Sequence, residues 1–145
     1  MTDDRRGSLE APDVAAKADA AGAGLRVQRG GGADAVVVLS TAPDALLAKR
    51  IAHILVEESL AACVHVGAPG VSMYLWQGKL EGGEEVPLTI KTTAARLSGL
   101  HARLRELHPY EVPEFLVLGV RAGAADYLDW VAEMAPPPAG SEPRE

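Results

Sequence analysis

The residues best suited to chemistry in this chain lie in one run, His108-Pro109-Tyr110-Glu111-Val112-Pro113-Glu114. It places an imidazole, a phenol and two carboxylates in a stretch that cannot continue a helix. Each proline fixes its own φ and pushes the preceding residue toward extended geometry. A backbone held this way presents its polar side chains at set angles, which serves a metal or ligand site and equally a well-built corner. His108 can ligate a metal with Glu111 and Glu114 close by. At a helix end it can instead bond the last carbonyls and sit well at the negative end of the dipole.

Other groups invite the same two-sided reading. Cys63 and His65 are two apart on a strand, so they share a face, as half a soft-metal site would; a free cysteine is more often a small buried hydrophobe. Tyr74 and Trp76 share one face of a hairpin, opposite Met73 and Leu75. They can form a stacking surface for a small ligand or a subunit contact, since aromatic residues concentrate in interface cores. Lys91 can bind an anion or pair with Glu85 or Glu111, and surface pairs contribute little. Glu84 and Glu85 point to opposite strand faces and read as a solvated hairpin tip. Enzyme signatures such as Gly-x-Ser-x-Gly, a phosphate-cradling glycine loop and His-Glu-x-x-His are missing, so an enzyme is not expected.

The elements that must position these residues follow from period and punctuation. Val36-Val37-Val38-Leu39 reads as a buried strand. Thr41, Pro43 and Asp44 read as a cap-like residue, an early-turn proline and an acid near a helix start. Leu47, Ile51, Ile54 and Leu55 then recur at helical spacing. Residues 61–66 form a second strand and 71–76 a third, with a reversal marked by Gln77-Gly78 and Gly82-Gly83. Val86, Leu88 and Ile90 alternate with polar residues as a half-buried strand, in which Pro87 signals an edge or bulge. Leu97, Leu100, Leu104 and Leu107 stripe a second helix. Residues 114–120 make a strand apolar on both faces, and Tyr127, Leu128, Trp130 and Val131 a closing helix. The order β-α-β-β-α-β plus a terminal helix predicts an α+β, ferredoxin-like sandwich with an antiparallel sheet. Two helices cover one face of that sheet. The other is left bare, which predicts self-association.

Bulk composition narrows the classes. The chain has 145 residues, enough for one domain, and 48% of them are hydrophobic but only 4% aromatic, so the core must be aliphatic. A formal charge of −6 argues against a nucleic-acid partner, which needs clustered Lys and Arg. A single cysteine allows no intrachain disulfide and suits a reducing compartment. There is no membrane-length apolar run and no secretory pattern at the start, which predicts a cytoplasmic protein without a membrane partner. Residues 1–32, rich in Ala, Gly, Asp and Arg, read as a disordered extension in which 13–21 can form a transient helix. Residues 33–135 are the folded domain and 136–145 a flexible tail.

Several blocks also follow one another in a familiar order. These are Ser40-Thr41-Ala42-Pro43-Asp44, Leu60-Ala61-Ala62-Cys63-Val64, Ser72-x-Tyr74-x-Trp76-x-Gly78-Lys79, Glu85, Ile90-Lys91-Thr92, the His108–Glu114 run, and Tyr127-Leu128-x-Trp130. Together they resemble the CutA family of divalent-cation tolerance proteins over roughly residues 36–131. The resemblance implies a ferredoxin-like subunit in a tight homotrimer whose long hairpin extends a neighbour's sheet, with an architecture like the PII signalling proteins. It implies clefts between subunits that take divalent metal ions or a small molecule. His108, Glu111 and Glu114 would stand on the metal side, and Tyr74, Trp76, Lys91, Tyr110 and Cys63 would line the cleft or interface. The copper pattern proposed for a bacterial member has a Cys directly before Thr-Ala-Pro-Asp and two histidines before Pro-Tyr. Here those positions hold Ser40 and Leu107-His108. Copper(I) favours thiolate, so Cu2+ or another divalent cation would be held weakly, with none required. The alternative implied by the same likeness is a PII-like signalling or protein-anchoring module.

Overall fold

The computed structural model describes residues 24–140. Its strands are β1 (Leu25–Val27), β2 (Ala35–Ala42), β3 (Cys63–Val66), β4 (Gly70–Trp76), β5 (Lys79–Thr93), β6 (Leu116–Gly119) and β7 (Ala122–Ala124). Its helices are α1 (Ala45–Glu57), α2 (Leu97–Leu107) and α3 (Ala125–Met134), with a single 3-10 turn, Ala94–Arg96, leading into α2. The main sheet runs β3-β5-β2-β6, entirely antiparallel, and β4 pairs with the first half of β5 as a projecting hairpin. This is the expected ferredoxin-like order, β-α-β-β-α-β, with α3 closing the chain.

The pleat explains the layering. Val36, Val38, Ser40 and Ala42 of β2 are buried, as are Val86, Leu88, Ile90 and Thr92 of β5. Of these, Val38, Ala42, Val86, Leu88 and Ile90 meet Ala48, Ile51 and Leu55 of α1 and Leu100 and Leu104 of α2 in one aliphatic core. A smaller cluster joins Ala35 and Ala62 to Leu128, Val131 and Ala135 at α3. The opposite sheet face holds Val37 and Leu39, with Leu118 and Leu116 directly across from them in register. Leu116 is 54% and Leu118 48% exposed, so this face is bare on its β6 side, while Val37 and Leu39 are partly covered. β6 is apolar on both faces but is an edge strand, and none of its four residues is buried.

Local chemistry differs from the sequence reading in four places. The α1 cap is Asp44, whose side chain accepts from Leu47 N–H at 2.8 Å; Thr41 lies inside β2 instead. A cap of this kind stabilises a helix by about 1 kcal/mol. Gly82 and Gly83 sit within β5, opposite Met73 and Ser72, and only Gln77-Gly78 makes the reversal, both at positive φ. Glu84 and Glu85 therefore pair with Val71 and Gly70 at the hairpin base, not at its tip. Pro87 is in a central strand. It is tolerated because β5 changes partners there, from β4, which ends its pairing at Glu85, to β3, which begins at Leu88.

The fourth difference is β1. Residues 24–32 fall in the segment expected to be disordered, yet Leu25–Val27 pairs antiparallel with β7. Backbone pairing and polar staples hold it, since Leu25 is exposed. Arg26 Nη1 donates to Asp129 Oδ1 at 2.6 Å, and the Gln28 amide donates to the carbonyls of Ala35 and Val120 while accepting from Ala35 N–H. The transient helix at 13–21 and residues 141–145 of the tail lie outside the described residues. Among the described residues no helix is long and apolar enough to cross a membrane.

Candidate functional site

The connector 108–114 is a strap pinned to the end of β2 at both of its ends. His108 closes α2, its backbone N–H bonding to Leu104 O, and Pro109 prevents another turn. The His108 ring is buried. Its Nδ1 accepts from Tyr110 N–H at 3.1 Å, so the proton sits on Nε2, which donates to Thr41 O at 2.7 Å. At the far end, the buried Ser40 hydroxyl donates to Glu114 O at 2.7 Å. Between them, Arg105 Nη2 reaches Glu111 O at 3.3 Å. The Tyr110 ring packs edge-on against His108 with centroids 4.7 Å apart.

His108, the candidate metal ligand, has its ring turned into the fold at the end of α2. Both ring nitrogens are engaged, and neither offers a lone pair without breaking a buried hydrogen bond. Its place at the helix end is as read, but its ring bonds a strand carbonyl across the sheet end rather than the last carbonyls of α2. Ser40, in the position where the resemblance expects a thiolate, is a structural hydroxyl.

The strap and the hairpin flank a half-open cavity of about 430 Å3 lined by Thr41, Tyr74, Trp76, Glu81, Glu85, Tyr110, Glu111, Val112 and Glu114. Cross-strand register explains the hairpin's share. Tyr74 faces Glu81, so Tyr74, Trp76, Glu81 and Glu85 fall on one face of β4–β5. Glu85 knits the floor: its Oε2 accepts from Thr41 Oγ1 at 2.9 Å and lies 3.5 Å from the Tyr110 hydroxyl. Burial raises the Tyr110 phenol above its ordinary range, helped by the Glu85 charge, by Tyr74 and by the bond to Glu85.

Tyr74, Trp76, Tyr110, Glu111 and Glu114 are thus brought together. Cys63 and Lys91 are not; they face each other across β3–β5 and do not line the cavity. Thr41, Glu81, Glu85 and Val112 are lining residues that the sequence reading missed. The signal for the two acids was their i, i+4 spacing in a continuous strand, hidden by reading Gly82-Gly83 as a turn. Four carboxylates and no basic side chain line the space. Among the described residues, however, no group of three or more His, Cys, Asp or Glu side chains is placed to hold a metal ion by itself.

Comparison with known proteins agrees with this architecture. The family described as CutA1 divalent ion tolerance protein matches residues 36–134. The divalent-cation tolerance protein CutA of Pectobacterium atrosepticum is 47% identical over 98 residues, 68% of this chain and 89% of that protein. Its namesake from Thermus thermophilus is 46% identical over 98 residues, 67% of this chain and 94% of that one. The crystal structure of CutA from Xylella fastidiosa superposes with a TM-score of 0.69 at 41% identity, covering 70% of this chain and 98% of that one. A structure from Archaeoglobus fulgidus, described as the periplasmic divalent cation tolerance protein CutA, gives 0.68 at 31% identity over 70% and 98% of the two chains. β1 and the Gly30–Gly32 turn precede the matched region, whereas the strap, the hairpin and the cavity between them all lie inside it. This chain belongs to the CutA1 family of divalent-ion tolerance proteins.

Proposed function

We propose that this chain serves divalent-cation tolerance as a non-enzymatic, cytoplasmic homotrimer that holds cations loosely in the strap–hairpin cavity. The observation that carries this reading is the lining of four carboxylates without a basic side chain. Oxygen donors suit hard divalent ions, and the positions they leave open are filled by water or by a neighbouring subunit. Weak binding is in keeping with the missing thiolate and with His108 already bonded on both nitrogens. The trimer is supported by the bare face around Leu116 and Leu118 and by the exposed Val71, Met73, Leu75 and Leu80 of the hairpin.

Calorimetric titration of the full chain with Cu2+ and Zn2+, repeated on a Glu81→Gln/Glu85→Gln variant, tests the metal part. Saturable, salt-sensitive binding that weakens at least tenfold in the variant is expected; equal affinity in both proteins refutes it. Sedimentation equilibrium at micromolar concentration tests the assembly, and a stable lone protomer refutes it. The three aromatic rings of the lining favour a second reading, a PII-like module that senses a small molecule and docks a partner. A thermal shift with a metabolite and none with metals selects it.

A further inference from the structure

We propose that the strap–hairpin cavity is a binding site for a small organic cation, a substituted ammonium group caged by Tyr74, Trp76 and Tyr110. The inference uses the same cavity as the metal reading but does not require that reading to hold.

The rings are the first observation. Tyr110 is fixed by its edge-on contact with His108 and by its N–H bond to the same ring, so its position does not depend on a ligand. Tyr74 and Trp76 come from one face of the opposing hairpin, and all three rings are roughly half-exposed, with area left to cover. The second observation is size. About 430 Å3 is far more room than one metal ion fills and falls in the range of small-molecule sites. The third is charge. Glu81 and Glu85 on the hairpin and Glu111 and Glu114 on the strap are all acidic, yet they do not converge as a metal-ligand set. Carboxylates spread around a volume match a cation whose charge is spread over several carbons. Lys79, directly across from Trp76, is the nearest basic residue in register and is not part of the lining. Ring faces attract a cation through their quadrupole, and aromatic cages for quaternary ammonium are a known use of that attraction.

Choline and its uncharged carbon isostere, in which a tert-butyl group replaces trimethylammonium, isolate the charge from the shape. Both are titrated into the full-length chain in its native assembly, followed by calorimetry and tryptophan fluorescence. Choline is expected to saturate and the isostere to bind at least tenfold more weakly. Trp76→Ala and Glu85→Gln should each weaken choline about tenfold, and Lys79→Ala should not weaken it. Should Trp76→Ala fail to fold, Trp76→Phe, which keeps a ring, should retain most of the affinity while Glu85→Gln carries the loss. Equal binding of choline and the isostere would mean an ordinary apolar pocket and overturns the proposal, as does the absence of saturable choline binding. Copper titrations alongside separate the two readings of the cavity. Choline binding without copper binding upholds this inference and removes the metal reading; copper binding without choline binding does the reverse.

Discussion

His108 decides between two pictures of this site, and replacing it separates them. If the imidazole is a ligand, His108→Ala should abolish metal binding and barely change stability, because the ring would gain little from the fold. The structure predicts the opposite. The ring is only 7% exposed and makes two hydrogen bonds, to Thr41 O and from Tyr110 N–H. Each bond contributes about 0.5–1.5 kcal/mol net, and the partners left unpaired in a buried setting cost more. Adding the space vacated by the ring brings the expected loss to about 2–4 kcal/mol. In a domain near 100 residues that is a fall in melting temperature of roughly 10–20 °C.

A second substitution refines the test. Asparagine places an oxygen where Nδ1 sits and can accept from the N–H two residues on, as in an Asx turn. His108→Asn should therefore recover the Tyr110 bond but not the Thr41 bond, and roughly half of the lost stability. Denaturant unfolding of the three proteins gives the stabilities, and titration with Cu2+ and Zn2+ the affinities. A His108→Ala chain within about 0.5 kcal/mol of the parent, with metal affinity reduced more than tenfold, would refute the positioning role.

Three further outcomes are expected. A Cβ on Gly67 would lie 2.6 Å from Pro87 Cγ, so Gly67→Ala should cost about 1–3 kcal/mol in unfolding, while Gly83→Ala, with open space around it, should be near neutral. The Tyr110 phenol is raised mainly by burial and next by Glu85, so its contribution to stability is complete below about its ordinary value of 10.0 and is lost as pH climbs through the raised one. Glu85→Gln should move its ultraviolet titration partway down toward that ordinary value; no movement would remove Glu85 as a cause. Arg26→Ala combined with Gln28→Ala should speed amide hydrogen exchange in β1 and β7 and leave the β2–β5 core unchanged. Faster exchange at Ile90 would contradict that separation.

What was legible in the sequence depended on where the controlling interaction lies. Apolar periodicity is a local record of burial, so the strands around Val38 and Ile90 and the stripes of Ile51 and Leu104 could be read without knowing their partners. The strap was legible for the same reason, because proline restricts the backbone wherever it stands. β1 left no such record. Its exposed Leu25 and Val27 carry no burial signal, and its stability resides in Gln28, whose three bonds reach Ala35 and Val120, and in Arg26, whose partner Asp129 is 103 positions away. The site divides along the same line. Tyr110, Glu111 and Glu114 were found because they sit on the strap, and Tyr74 and Trp76 because alternation placed them on one hairpin face. Glu81 and Glu85 were lost because two glycines read as a turn broke the strand that aligns them across from Tyr74. The hydrogen bonds of His108 were hidden for a related reason. Residue type reports what an imidazole can do, but whether its nitrogens are free depends on a Thr41 carbonyl 67 positions earlier in the chain. A lone histidine beside two acids is therefore as well explained by a structural corner as by a metal site, and only the register of β2 against the strap distinguishes the two.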